Sequence, residues 1–197
     1  MAVIDAIHPI SSAISALGPM TGRLPNFSSD ELEKFTRIAL EKALSAKLNG
    51  NHPFGAILVD SCSKEVLCTA ENTVVTLRCP TKHAELNLVE VASQLLTVDQ
   101  IHKCVLFTST EPCPMCCGAI YWSGIRCVVY SFPALELGKL ANDTFCGPCH
   151  EVFDKAIQTS DGKPPRAGTE SLRTVVIGPI LIDEGRTVHG SFWQDFI

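Results

Sequence analysis

Apolar positions recur along the chain with two different periods, and the switches between those periods mark the elements. After Ser29-Asp30-Glu31, the residues Leu32, Phe35, Ile38, Ala39, Ala43 and Ala46 fall three and four apart. That spacing predicts a helix with one buried face, Ser29 or Asp30 as its N-cap and Asn49-Gly50 as its end. Residues 54–59 form a short apolar run before Asp60-Ser61, a strand and its turn, and 65–69 supplies the hairpin partner. Helical periodicity returns over 84–96 through Leu86, Val89 and Ala92. Residues 103–109, rich in apolar and β-branched side chains, read as a buried strand, 112–123 as a helix and 126–130 as a strand. A last strand is predicted over 172–182. Before it lie a Gly/Asn/Cys-rich segment, a short helix over 151–157 and a loop over 159–169.

Hairpin strands followed by helices alternating with buried strands predict an α/β fold. Its form is a three-layer α/β/α sandwich around a central mixed five-stranded sheet. Residues 1–27 show no sustained period and read as an N-terminal extension, leaving 28–197 as one domain without an internal repeat.

Composition narrows the partners more than the fold. A net charge of −5 offers phosphate backbones no general attraction, and no basic patch stands out, so a nucleic-acid partner is not expected. No apolar run approaches a membrane span, and Asp5, His8 and Pro9 interrupt the mildly apolar start, which predicts no secretory signal. Ten cysteines then point to reduced thiols and metal ligation, with the cytoplasm as the default compartment.

Two short stretches carry chemistry: His83-Ala84-Glu85 and Glu111-Pro112-Cys113-Pro114-Met115-Cys116. Each stands where a strand or loop feeds a predicted helix. Pro114 suits a first helical turn, and Cys113 and Cys116 then lie together near the positive end of the helix, which favours the metal-binding thiolate. With His83 they make three zinc ligands, and a tetrahedral ion keeps one position open, where water can be activated. Glu85, two residues from a ligand, is placed to move protons without ligating. H-x-E followed by P-C-x-x-C is an established signature of zinc base deaminases. A lone C-x-x-C would be weak in so cysteine-rich a chain; the two motifs in this order are specific. The competing reading is a closed structural zinc site with Cys117 as fourth ligand, but adjacent cysteines fit one ion poorly, and such a site has no need of Glu85.

At these residues the chain resembles the cytidine-deaminase-like superfamily, and the run from Thr108 through Glu111-Pro112-Cys113 to Trp122 most resembles its guanine deaminase branch. His52-Pro53-Phe54-Gly55-Ala56 and Pro80-Thr81 extend the likeness. The resemblance implies one zinc ion per subunit, a homodimer, and a small nucleobase or nucleoside as substrate. It also implies that Asn72 and the Ala84 backbone N–H bind the base, that Phe54 and Trp122 line its pocket, and that Asp143 recognises it, with Glu184 a weaker second carboxylate. Read from the residues alone, Asn72 fits a turn as well as a ligand contact, Phe54 and Trp122 fit a core, and Asp143 fits a helix cap. The chain departs from the family pattern at Cys79, at Ser123-Gly124 and at Cys146-Gly147-Pro148-Cys149-His150, a second C-x-x-C read as reduced thiols, with a redox-active pair or a second metal site as the alternatives.

The functional expectation is hydrolytic deamination of guanine to xanthine and ammonia. Guanosine, cytosine and the adenosine of a tRNA are alternative substrates, and a zinc-stabilised interaction domain is the non-enzymatic alternative. The aromatic pair Phe192-Trp193 is read either as packing near a site, its own or its neighbour's, or as simple docking of the tail.

Overall fold

The computed structural model describes residues 26–142, 148–156 and 173–193. In chain order the elements are α1 (Ser29–Leu48), β1 (Gly55–Asp60), β2 (Val66–Glu71), α2 (Ala84–Leu95), α3 (Val98–Ile101) and β3 (Cys104–Thr110). They continue with α4 (Pro114–Ser123), β4 (Cys127–Phe132), α5 (Ala134–Ala141), α6 (Cys149–Ala156), β5 (Val175–Ile177) and α7 (Ile182–Trp193).

The sheet has five strands in the order β2-β1-β3-β4-β5. Strand β1 runs antiparallel to β2 and β3, whereas β3, β4 and β5 are parallel, so the sheet is mixed as expected. Successive residues of a strand point to opposite faces. Ala56, Leu58, Leu106 and Val128 therefore pack beneath α2, α4 and α6, while Ile57, Val59, Val105, Phe107 and Val129 pack beneath α1. Helix α7 joins α1 on that second face, which completes the three layers.

Local sequence explains most boundaries. Ser28 caps α1 one residue earlier than expected: its hydroxyl accepts from the Glu31 N–H at 3.2 Å, and its own N–H donates to the Glu31 carboxylate at 2.8 Å. Phe27, assigned to the extension, packs its ring on Phe35 and Phe107 at 5.7 and 5.6 Å. The predicted last strand is corrected. Only Val175–Ile177 pairs with β4, because Gly178-Pro179 interrupts the ladder, and helix α7 follows from Ile182. Gly185 and Gly190 weaken the helical signal of that segment. Helices α3 and α5 are likewise additions to the expected set. Among the described residues no helix is long and apolar enough to cross a membrane.

One close approach sets the geometry ahead of the site. A Cβ on Gly55 would stand 2.4 Å from the Ala43 nitrogen and 2.5 Å from the Ala39 oxygen. Only glycine lets β1 press onto the backbone of α1 there, and this contact places His52 and Phe54 immediately before it.

Candidate active site

Helices α2 and α4 both begin on a residue of the sequence motifs. His83 is the N-cap of α2 with φ −71° and ψ 157°, and Cys113 is the N-cap of α4 with φ −71° and ψ 165°. Pro114 follows Cys113 in the first turn, as its fixed φ and missing N–H allow. Cys116 lies in that turn, and the two sulfurs stand 3.7 Å each from His83 Nδ1. Two ligands of one tetrahedral zinc are separated by about 3.6 Å, given bonds of ~2.3 Å to sulfur and ~2.0–2.1 Å to nitrogen. The three ligand atoms therefore fit a single zinc ion, and they form the one such group among the described residues.

The two thiols divide their protons unequally. A hydrogen bond from Cys116, supported by His83, holds Cys113 down to about 4 despite its burial. Cys116 is pushed far up by the Cys113 thiolate, by burial and by Glu85. The thiolate in turn raises His83.

Glu85 is buried, and that burial, with the charge of Cys113 adding to it, raises its carboxyl. The Thr108 hydroxyl donates to its Oε1 at 2.8 Å, and the Cys116 sulfur lies 3.5 Å from its Oε2. Thr108 was not singled out in the sequence. Its signal was available, because Thr108-Ser109-Thr110 puts three hydroxyls in a row at the end of a strand that is buried throughout. The other two are also bonded: Ser109 accepts from the Gly55 N–H at 3.1 Å, and Thr110 bonds His189 Nε2 at 2.6 Å.

Glu111 opens the cysteine stretch, where the sequence alone gives it no role of its own. Its buried carboxylate accepts the Ala134 N–H at 3.1 Å and the Cys149 N–H at 2.7 Å. These are the first residues of α5 and α6, so one acid caps two helices and ties them to the metal-binding turn.

The residues expected around a base are brought together unevenly. Asn72 is fully buried, and its Oδ1 accepts the Val74 N–H at 3.0 Å. That bond is a turn contact, while the Asn72 Nδ2 is buried without a hydrogen-bond partner. Ala84 is the first residue of α2, and its N–H has no acceptor within the helix ladder. Phe54 stands 5.3 Å from the His189 ring, 6.4 Å from Trp193 and 6.5 Å from His52. His52 also meets Phe192 and Trp193, at 5.9 and 5.7 Å. Helix α7 thus closes on its own chain. His189, which packs on Phe54 and Phe132, carries no signal in the sequence because these neighbours lie far away along the chain.

Two expectations change. Trp122 is 85% exposed, so it lines no pocket within this chain. Glu184 is held on the surface by Arg37, whose guanidinium reaches it at 3.0 and 3.2 Å, and it offers no second carboxylate to a base. Asp143 and Cys146 lie outside the described residues. Cys149 is buried, and its thiol is pushed far up by its hydrogen bond with Cys117, by burial and by Glu111.

The geometry agrees with comparisons to known proteins. The model of the cytidine and deoxycytidylate deaminase zinc-binding region matches residues 29–132. A "probable cytosine deaminase" of Schizosaccharomyces pombe is 36% identical over 171 residues, covering 85% of this chain and 98% of the relative. The guanine deaminase of Bacillus subtilis is 38% identical over 100 residues, 51% of this chain and 61% of that protein. The structure of a guanine deaminase from Nitrosomonas europaea shares the fold, with a TM-score of 0.60 at 22% identity over 98% of this chain and 97% of that one. Three ligand atoms spaced for zinc, a buried glutamate beside them and a match over more than half the chain lead to one conclusion: the chain belongs to the cytidine and deoxycytidylate deaminase zinc-binding family.

Proposed function

We propose that the protein is a hydrolytic deaminase of a small free nucleobase. Glu85 moves the protons, and Asn72, the Ala84 N–H and Phe54 hold the ring. The observation that carries this reading is the buried Glu85 carboxylate, anchored by Thr108 and in contact with a ligand of a three-residue metal set. Zinc bound there supplies a Lewis acid that makes water a competent nucleophile at neutral pH. Glu85 takes up one proton as water attacks and delivers it to the ring nitrogen, then carries the hydroxyl proton of the adduct to the amine, which leaves as ammonia. The raised pKa of Glu85 favours the uptake of that first proton. Thr108 fixes Oε1, so the proton traffic falls to Oε2. Asn72 has a buried Nδ2 without a partner to offer a ligand, which suits a base with an acceptor at that edge.

Guanine, converted with water to xanthine and ammonia, is the first substrate, supported by the likeness around the cysteine motif. Asp143 would accept from its amidine edge. Cytosine, converted to uracil and ammonia, is the second, favoured by the likeness to a relative matched over nearly its whole length. The homodimer implied by the family suits α4, which has no charged residue and exposes Met115 and Trp122. Trp122 is then an interface residue.

Ammonia release from guanine and from cytosine by the zinc-loaded protein decides the substrate. Glu85→Gln removes turnover, by about a thousandfold or more, while zinc stays bound. Full activity in that variant refutes the role of Glu85.

A further inference from the structure

Asn72 needs a rigid mount, because its own side chain does little to place it. The Oδ1 bond to Val74 orients the carboxamide within its turn but does not fix the turn relative to the metal site. The turn follows β2, whereas His83 and Glu85 belong to α2, and a shift between the two would move the binding amide away from the reacting centre. Misplacement by about 1 Å is enough to cost such a site much of its rate.

The Asn87 side chain spans this gap, beside a backbone bond from the Thr73 N–H to the Lys82 carbonyl at 3.0 Å. Asn87 lies one helical turn beyond His83, whose carbonyl its N–H meets at 2.9 Å. Its Nδ2 donates to the Glu71 carbonyl at 2.9 Å and to the Thr73 hydroxyl at 2.9 Å. These residues flank Asn72 on both sides. A carboxamide nitrogen has two N–H donors, so both are used, and the Lys82 carbonyl at 3.4 Å is a weaker alternative. Further along, the Oδ1 of buried Asn51 accepts the Val75 N–H at 3.1 Å, the Thr76 N–H at 3.0 Å and the Thr76 hydroxyl at 3.1 Å. The segment 71–76 is thus bolted at one end to the catalytic helix and at the other to the residue before His52.

We infer that Asn87 is a positioning residue for substrate binding: through its two bonds beside Asn72 it holds that amide in register with His83 and Glu85. The inference rests on the reading of Asn72 as a base-binding residue. A structural bolt alone would affect folding and leave base recognition untouched, so the two roles separate in kinetics.

The test is a double-mutant cycle on the zinc-loaded protein, assayed by ammonia release from guanine and from cytosine. Asn87→Ala lowers kcat/KM about tenfold, mainly through KM, with zinc content unchanged, the scale expected for losing a positioned hydrogen bond. In an Asn72→Ala background the same change costs less than about twofold, because nothing is left to position. A gentler pair covers the case in which Asn87→Ala does not fold. Thr73→Val, isosteric but without the hydroxyl, raises KM about threefold, and Thr73→Ser recovers most of that loss. Equal losses from Asn87→Ala in both backgrounds overturn the inference while sparing the role of Asn72. So does an unchanged KM in Thr73→Val. If Asn72→Ala itself leaves kcat/KM intact, the base-binding reading of Asn72 falls, and the inference falls with it.

Discussion

The site has a metal half and a second half where we propose the base binds (the base half), and the two are built differently. In the metal half, His83, Glu85, Cys113 and Cys116 occupy the first turns of two helices, within short stretches of sequence. Their geometry is set by helix capping, by Pro114 and by buried partners such as Thr108 and Glu111. In the base half, His52 and Phe54 precede β1, Asn72 follows β2, and His189, Phe192 and Trp193 arrive on α7 from the far end of the chain. Those contacts are ring packing and turn geometry, which tolerate substitution more readily than a tetrahedral ligand set does. Under the proposed function, that difference would let one motif pair serve relatives named for cytosine and for guanine, with the chemistry kept in the local half.

Substitutions aimed at one half at a time sharpen this contrast. The largest effect belongs to the metal half. Cys116→Ser removes a thiolate ligand, and zinc content and activity both collapse, activity by about a thousandfold or more. Metal analysis beside the assay checks it, and a variant that keeps its zinc would show that the ligand set is not the one described. At the junction of the halves, Gly55→Ala drives a methyl group into the α1 backbone and destabilises the protein by about 3 kcal/mol, measured by urea unfolding. No loss of stability would mean that β1 and α1 are free to separate there.

The smallest effect is a pH dependence confined to the base half. Burial holds His189 down to about 4, against an ordinary 6.5. Below pH 6.5 the unfolded chain therefore binds a proton that the folded chain refuses, so stability is lost as pH falls from 6.5 towards 4. Between pH 6.5 and pH 5 this loss is about 2 kcal/mol. His189→Gln is less stable at pH 7 but lacks this slope, and its deficit relative to the native protein narrows by about that amount at pH 5. Acid effects on the metal ligands are common to both proteins and cancel in the difference. A deficit equal at both pH values contradicts the buried neutral imidazole.

The legibility of the fold and site follows the same division. The five strands, α1, α2, α4 and α6 were readable because their periodicity or turn residues lie within one window of sequence. Helix α7 was not, since Ile180, Leu181 and Ile182 extend an apolar run past Gly178-Pro179, and its glycines dilute the helical signal. Thr108 and Glu111 sat in plain view beside the motifs, but their partners Glu85, Ala134 and Cys149 are reached only through the folded chain. Trp122 shows the reverse error, an aromatic beside a motif that the helix turns outward to 85% exposure.

By itself, then, the sequence determined the layered α/β class and the zinc-binding trio with its neighbouring glutamate. A helix N-terminus converts a spacing of two or three residues directly into geometry. Only the tertiary structure decided which rings gather around Phe54, that the Asn72 Nδ2 is buried without a partner, and that α7 packs against His52 and Phe54. Those features depend on contacts between residues as much as about 140 positions apart, such as Phe54 and Trp193, and no local periodicity encodes them.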